Sequence, residues 1–530
     1  MEQKQARIPH ILFGIADMVE QRMNSLFPPL ARDQTVLVRL TRTVQDRLEK
    51  LLFQRHPKRE WGTFFTFGYR RTAWGLSVSI VDLLPPIHGE LDRRSPIVTF
   101  HPDYISRMLD VRDQTRLGIG FVHSHPLEWG VVPSSSDDDM DSYFTRVSAP
   151  YGSGQPYVSL IFNRTPAGNL EFSGRAFDQQ RWFVVEALQS VGDQLRRYRN
   201  ALIAEPPLPN TTSEDPLARW TSLVGTEVRD NFLSARVGIV GCSGTGSPAV
   251  EAFARAQIGR MVLVDGQRIA PSNLERLHGS QASDLRCDPP PYKVSVLKRL
   301  IHEINPAAEV TAFVGNILDD EVFDELLRCD LVIGCTDSQH GRAALGDLSA
   351  LYLVPVIDVG VLPKAQSDRI TAQFVDLIRL GAQDPCPFCQ GRISIPELNV
   401  ELMSAEEKRR CRAAAIEATT RGDDGSNYWA GEPPQLPSIG YLTTVAGALA
   451  SGYGLNWLLG TARMPHQRFQ FDLNAPEFGF VADTMGADPD CTCSRFRGHS
   501  DQGDRSVTRP PHFPPAFRVE SESPRELRLQ

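Results

Sequence analysis

Val237-Gly-Ile-Val-Gly241-Cys-Ser-Gly244-Thr-Gly246 is a short apolar run that gives way to a glycine-rich turn and then to Ser247-Pro-Ala-Val-Glu-Ala-Phe-Ala, a helix-forming stretch. Strand, glycine turn and helix in that order leave backbone N–H groups facing a polyphosphate at a helix N-terminus. The glycines alone are weak evidence. Asp265, 19 residues past Gly246 at the end of the next apolar run, supplies the carboxylate that binds ribose hydroxyls and makes the nucleotide reading much firmer. Strands at 237–240, 261–264, 331–334 and 354–359 alternate with helices near 246–257 and 294–304. That rhythm predicts βαβ units and an α/β, Rossmann-like domain with a mainly parallel sheet.

Upstream the pattern is α+β. Residues 62–83 alternate apolar and polar, broken by Gly68 and the Arg70-Arg71 pair, which predicts a hairpin. A short helix at 103–111, a strand at 117–122, a serine-capped helix at 137–144 and strands at 157–162 and 170–173 follow. Residues 179–203 read as an amphipathic helix with Phe183, Leu188, Val191 and Leu195 on one side. The boundaries are an N-terminal segment 1–29, a first domain 30–204, a proline-rich linker 205–216, a second domain 217–495 and a tail 496–530 whose composition predicts disorder. Within the second domain, 390–435 read as irregular and charged, and 441–459 as a helix rich in small residues.

A chain of 530 residues is too long for one hydrophobic core. Its 41% hydrophobic and 23% charged residues are ordinary soluble-globular values, and no apolar run approaches the roughly 20 residues that span a bilayer. The start is interrupted by Pro9, Gly14 and Asp17, unlike a signal peptide, so the expectation is a cytoplasmic protein without a membrane partner. A net charge of −8 with dispersed Lys and Arg argues against nucleic acid held by counterion release.

In the first domain, His123-Ser-His125-Pro is followed after eight residues by Ser134-Ser-Ser-Asp137. Two imidazoles two apart on a strand share a face, and with a carboxylate they form an open-sided zinc site, in which the pKa of bound water falls to about 7. His123, His125 and Asp137 are the candidate ligands of a catalytic zinc, Ser134 the donor to a developing oxyanion, and Glu60 the general base. This constellation resembles the JAMM (JAB/MPN) metalloproteases, over roughly residues 30–175. That family usually has seven residues before its serine, so Ser135 with Asp138 is a competing assignment. The bland alternative is a histidine-filled loop beside a capped helix.

In the second domain Ser272-Asn273-Leu-Glu-Arg276, Lys293 and Cys335-Thr-Asp337-Ser follow the glycine turn. Two cations and an amide suit three phosphates, and a carboxylate suits magnesium, a set that separates ATP from NAD. These motifs closely resemble the ThiF/MoeB and ubiquitin-activating enzyme superfamily, over roughly 215–475. The resemblance implies that Gly241, Gly244, Gly246 and Asp265 bind the nucleotide, Asn273, Arg276 and Lys293 the phosphates, and Asp337 the magnesium. Ser243 and Pro290 stand where the family often has glycine, and Arg219 is a loose match to its extra arginine. A Rossmann-like domain without activity is the alternative.

All nine cysteines lie at or after position 242. Cys386-Pro-Phe-Cys389 and Cys491-Thr-Cys493 pair as four thiolates for a structural zinc, with reduced surface thiols as the alternative. Cys411, flanked by Lys408, Arg409, Arg410 and Arg412, is the candidate acceptor of a thioester; an incidental cysteine, or acceptance by Cys389, is the alternative. Cys242, Cys329 and Cys335 read as packing residues.

The combination implies a bifunctional enzyme of a bacterial ubiquitin-like modification pathway. ATP and magnesium adenylate a small protein's C-terminus, Cys411 takes the acyl group, and the zinc site trims or deconjugates the same protein. The resemblance further implies a homodimer and a conjugating-enzyme homologue as partner. Activation and trimming of a sulfur-carrier protein, and a non-catalytic scaffold, are the other readings.

Overall fold

The structure, a computed structural model, describes residues 34–519 apart from 93–94, 96, 152–153, 204–214, 425, 427–428, 430, 432–436, 461–465, 476–480 and 484–485. The predicted segment 1–29, most of the linker 205–216 and residues 520–530 of the tail lie outside the described residues. The chain forms two compact units. The first runs to Ser190 and takes in 197–207 and 498–503; the second holds 191–196, 208–497 and 504 onward.

The first unit is built from β1 (Thr35–Thr41), α1 (Arg42–Leu52), β2 (Trp61–Thr72), β3 (Gly75–Leu84), α2 (Pro102–Gln114), β4 (Gly118–Ser124), α3 (Ser135–Ser148), β5 (Tyr157–Arg164), β6 (Leu170–Asp178), β7 (Arg181–Val191) and β8 (Arg196–Arg199). Its strands run β1-β3-β2-β4-β5-β6-β7-β8, and a further β1–β7 pairing closes seven of them into a barrel. Period-two alternation sorts the side chains. Phe64 and Phe121 pack with Tyr104 and Met108 of α2 and Phe144 of α3. Their neighbours Phe65 and Val122 join Val38, Leu160 and Leu48 of α1 in a separate core.

Two expectations fail here. Residues 179–203 hold β7 and β8 rather than a helix. Gln179 and Gln180 have φ of 46° and 65°, and Asp178 faces Arg181, so the reversal is a two-residue hairpin of the primed type. Trp182, Phe183, Val184 and Val185 favour extended backbone, and β7 is the strand that closes the barrel, which outweighs helical spacing. Gly68, Arg70 and Arg71 lie inside β2, and the hairpin turns instead between Thr72 and Gly75. Gly68 serves another need: a β-carbon there would lie 2.2 Å from the His499 backbone, where the segment 498–503 crosses the strand.

The second unit comprises α4 (Ala218–Val224), α5 (Glu227–Ser234), β9 (Arg236–Val240), α6 (Gly246–Arg255), β10 (Arg260–Val264), α7 (Lys293–Ile304), β11 (Glu309–Val314), α8 (Asp320–Leu327), β12 (Leu331–Gly334), α9 (Gln339–Tyr352), β13 (Val356–Gln366), β14 (Arg369–Leu380), α10 (Ile395–Leu402), α11 (Ala405–Arg421), α12 (Gly440–Leu459), β15 (Arg468–Asp472), β16 (Val481–Asp483), α13 (Thr492–Arg495) and β17 (Phe517–Arg518). The sheet order is β16-β15-β14-β13-β12-β9-β10-β11-β17. From β13 to β11 the neighbours are parallel, and antiparallel strands extend both edges. The order reverses beside β9, where a crevice opens at the strands' carboxyl ends. Small residues let α12 approach α6, since a β-carbon on Gly447 would lie 2.4 Å from the Thr245 carbonyl oxygen.

Residues 390–435, expected to be irregular, contain α10 and α11. Helix α11 has a Ser404–Glu407 capping box and stops at Gly422, whose φ is 88°. Its surface carries i,i+4 pairs such as Arg421–Glu417, so it is a polar helix lacking the apolar stripe that sequence patterning detects. The described part of the tail, expected to be disordered, is built as well. Asp347 accepts the Ser506 N–H at 2.8 Å, Asp319 accepts the Ala516 N–H at 3.1 Å, and β17 pairs with β11. Among the described residues no helix is long and apolar enough to cross a membrane.

Burial pushes the Asp347 carboxyl up to about 7, against hydrogen bonds from Ser506. Folded Asp347 therefore keeps its proton where an unfolded aspartate, near pKa 3.9, has lost it. The stability this confers is fully present below about pH 4 and is lost as pH rises through about 7, a swing of up to roughly 4 kcal/mol. Asp347→Asn removes the swing. Urea melts at pH 5 and pH 8 will show the variant's stability relative to the parent rising between the two, with the larger gain at pH 8; a parallel offset at both would contradict the assignment.

Candidate functional site

In the first unit, β4 carries His123 to its carboxyl end, opposite Gly62 of β2. A β-carbon on Gly62 would lie 2.5 Å from the Phe121 ring and 3.0 Å from the His123 Cβ, so glycine is what lets β2 pass. The His123 ring stacks on Phe121 with centroids 5.6 Å apart. One residue past the strand, the His125 N–H still donates to the Phe162 carbonyl at 3.0 Å. Its Nδ1–H donates to the Gly130 carbonyl at 3.2 Å, which leaves a lone pair on Nε2.

Asn163 was not foreseen. Fully buried at the end of β5, its amide donates to the carbonyls of Pro126 and Gly130, both at 3.0 Å, and so pins the loop after His125. The sequence signal was a lone amide closing an apolar strand.

Ser134 caps α3. Its hydroxyl accepts the Asp137 N–H at 3.3 Å, and the Asp137 carboxylate accepts the Ser134 N–H at 2.5 Å. This box turns Asp137 onto both imidazoles, with Oδ1 3.1 Å from His123 Nε2 and Oδ2 3.4 Å from His125 Nε2. Asp138 points elsewhere: Arg175 pairs with it at 2.7 Å and with buried Asp141 at 2.6 Å. Glu60, buried just before β2, accepts the Val98 N–H at 2.9 Å, and its carboxylate lies within 4.8 Å of the imidazole nitrogens of both histidines.

Burial disfavours the ionised Asp137, but His123, His125 and Ser134 outweigh it and hold its carboxyl far below the usual range. Burial pushes His123 down, and the hydrogen bond and charge of Asp137, with the charges of Glu60 and Asp141, reverse that into a net rise. Both Nε2 atoms are buried and face the Asp137 carboxylate. A lone pair facing a carboxylate at such distances repels unless a proton or a cation lies between, and Glu60, His123 and His125, whose ligand atoms all lie within 4.8 Å of one another, form a group that could hold a metal ion.

In the second unit a cavity of ≈ 590 Å³ is lined by Gly241, Gly244, Asp265, Arg276, Lys293 and Asp337 of the predicted set; Gly246 and Asn273 are not on its wall. Both act from behind it. A β-carbon on Gly246 would lie 2.0 Å from the Gly241 carbonyl oxygen. Asn273 accepts the Ala270 N–H at 2.8 Å, holding the turn that aims Arg276. Asp265 accepts N–H groups from Cys242 at 2.9 Å and Gln267 at 2.8 Å; burial raises its pKa, and Lys293 opposes the rise. Lys293 donates to the Gln267 side-chain oxygen at 2.5 Å, and Arg276 to the Ser438 carbonyl and hydroxyl at 3.0 and 2.7 Å. Arg219 lies exposed on α4, away from the wall.

The cavity also contains residues that sequence reasoning missed, among them His340, Arg342, Thr443 and Phe513. His340 Nδ1–H donates to Glu401 of α10 at 2.6 Å, and its Nε2 accepts from Asn316 at 2.7 Å. Position 411 falls on α11, half-buried and outside the cavity wall.

The four paired cysteines converge, with sulfur separations of 3.9 Å (Cys386–Cys389), 3.6 Å (Cys386–Cys491) and 3.7 Å (Cys389–Cys493). Tetrahedral zinc with Zn–S near 2.3 Å has edges of about 3.8 Å, so this cluster fits a structural zinc. Cys242 and Cys329 are fully buried, whereas Cys335 reaches the cavity wall.

Comparison with known proteins gives a match to the ThiF family over residues 217–493, just over half of the chain. Among curated proteins, the chain is 27% identical over 191 residues to the adenylyltransferase and sulfurtransferase UBA4 of Kluyveromyces lactis, covering 34% of this chain and 42% of that one. It is 28% identical over 134 residues to the sulfur carrier protein ThiS adenylyltransferase of Escherichia coli, covering 25% and 52%. The matches thus span about two fifths to about half of those relatives' own length. Of solved structures, E. coli MccB aligns at a TM-score of 0.41 with 18% identity, over 58% of this chain and 77% of that one.

Cys389→Ser is expected to release the zinc of the four-cysteine cluster and lower the melting temperature of the second unit. Metal analysis by mass spectrometry with a thermal melt checks it, and unchanged zinc content would contradict the cluster as a metal site.

Proposed function

The chain belongs to the ThiF family, and from that premise we propose that its second unit adenylates the C-terminal carboxylate of a small ubiquitin-like protein. The observation that carries this reading is the convergence of Asp265, Arg276, Lys293 and Asp337 on one cavity. A carboxylate oxygen of the tail attacks the α-phosphorus of ATP, the bond to the β-phosphate breaks, and pyrophosphate leaves. Arg276 and Lys293 neutralise the phosphate charge gathering in that step. Asp337 is the carboxylate that would hold magnesium, which screens the triphosphate when bound. Cys411 then attacks the acyl carbon as thiolate, forming a C–S bond and releasing AMP.

The first unit supports the other half of the reading, hydrolysis after the same tail. His123, His125 and Asp137 would hold zinc, which would supply Lewis acidity and make a water more acidic. Glu60 takes a proton from the attacking water as its oxygen bonds to the carbonyl carbon and returns it to the amine that leaves as the C–N bond breaks, and the Ser134 hydroxyl donates to the oxyanion. Together the activities suit a ubiquitin-like modification pathway of bacterial type, with a conjugating-enzyme homologue downstream and a homodimeric enzyme. The names of two relatives favour a second reading, activation and trimming of a sulfur carrier. A thiocarboxylate on the carrier would identify it, and lysine conjugates the first.

Carrier-dependent ATP–pyrophosphate exchange tests the adenylation. Lys293→Ala or Arg276→Ala is expected to slow it by roughly 100-fold or more, and exchange equal to the parent's would sink the site. Cys411→Ala should leave exchange intact and abolish the reductant-sensitive conjugate.

His123→Ala is expected to lose zinc from the first unit and all cleavage of a tail-extended carrier, while exchange continues. Cleavage that persists in the variant would refute the hydrolytic half.

A further inference from the structure

The segment after Gly503 is anchored to the second unit at both ends. At the near end, Asp347 holds the Ser506 N–H, and the Arg505 guanidinium donates to the Tyr352 hydroxyl at 3.0 Å and lies 4.1 Å over the Phe323 ring. At the far end, Asp319 accepts the Ala516 N–H, Phe517 meets Tyr292 edge to face at 5.7 Å, and the Val519 N–H donates to the Ala312 carbonyl at 2.8 Å. Gly315 is shaped for this passage, since a β-carbon there would lie 2.3 Å from the Ala516 Cβ.

Between the anchors the chain folds into a tight turn. The Phe513 N–H donates to the Pro510 carbonyl at 3.1 Å, and Arg509 donates to the Phe513 carbonyl at 2.6 Å. Phe513 and Pro514 thereby enter the wall of the nucleotide cavity, together with Asn316 and His340. The Phe513 ring packs on His340 at 5.6 Å and 73°, and His340 is itself fixed by Glu401 and Asn316.

Strand order says which part of a nucleotide reaches this end. The glycine turn after β9 and Arg276 mark the phosphates, and Asp265 after β10 marks the ribose. The next strand outward is β11, followed by Gly315, Asn316 and Ile317, so the base lies there. A half-buried aromatic ring held at that place presents a flat apolar surface to a purine.

We infer that the segment from Arg505 to Val519 is part of the nucleotide site, with Phe513 and Pro514 contacting the purine of bound ATP. This rests on the nucleotide reading of the same cavity and adds to it a base contact made from beyond residue 493, outside the span matched by the family.

The test is equilibrium binding of ATP and of inorganic tripolyphosphate, which has no base, to the full chain and to Phe513→Ala and Phe513→Trp. Loss of one base–aromatic contact is expected to weaken ATP by roughly 10-fold in Phe513→Ala. Tripolyphosphate affinity and the ligand-free melting temperature stay at the parent's values, and Phe513→Trp restores ATP binding. Equal ATP affinity in parent and Phe513→Ala overturns the inference. So does equal weakening of both ligands, which would make the turn a structural support only. A parent that binds tripolyphosphate but gains nothing from the base of ATP also overturns it, while a parent that binds neither ligand brings down the nucleotide reading itself.

Discussion

A β-carbon on Gly246 would sit 2.0 Å from the Gly241 carbonyl oxygen, and one on Gly241 would sit 2.5 Å from the Cys335 carbonyl oxygen. No rotamer relieves either contact, because both involve backbone. The chain can leave β9, reverse and enter α6 beside the end of β12 only with glycine at both places, and Gly241 also needs it for a φ of 93°. That turn sets the rest of the second unit's chemistry. It brings the Cys242 N–H onto Asp265, aligns the carboxyl ends of β9 and β10, and opens the crevice into which Arg276 and Lys293 reach.

The first unit meets a different constraint, the cost of burying charge. Glu60, Asp137, His123 and His125 are all at least about nine-tenths buried. Such groups are tolerated only when each is hydrogen-bonded or paired. The structure meets this with backbone: Val98 N–H for Glu60, Ser134 N–H for Asp137, the Gly130 carbonyl for His125. Those partners fix orientation without adding a competing charge, and they leave both Nε2 atoms facing inward. A parallel arrangement surrounds Arg175, whose two carboxylates, Asp138 and Asp141, anchor the first turns of α3 and so hold the Ser134 cap in place.

How much of this was readable in the sequence depends on range. Local chemistry was legible: the glycine turn, the serine cap ahead of Asp137, the strand that delivers His123 and the paired cysteines are each specified within a few residues. The barrel was not. Whether residues 181–191 extend or coil is decided by β1, some 150 residues away, and the primed turn at Gln179–Gln180 lacks the Asn or Gly that usually announces it. Helix α11 escaped for the opposite reason, because an exposed helix held by caps and i,i+4 pairs has no apolar period to find. Phe513 could not be tied to Asp265 from spacing at all, since the tail reaches the cavity through carboxylates accepting its backbone N–H groups.

Neutral partners also explain how the cavity keeps usable positive charge. Arg342 lines it too, but Asp358 lies 3.1 Å away and cancels its charge, and Asp358 is shared with Arg392 at 3.7 Å. Arg276 and Lys293 donate instead to groups that carry no charge, the Ser438 carbonyl and hydroxyl and the Gln267 amide oxygen, although Lys293 also feels the charge of Asp265. A cation positioned by a neutral acceptor loses conformational freedom without losing its field, so it meets an incoming anion with little rearrangement. On the proposed reading the distinction leaves the Arg342 guanidinium to architecture, and the Arg276 guanidinium and the Lys293 ammonium free to meet phosphate. It follows from partner chemistry rather than from which cations happen to line the wall.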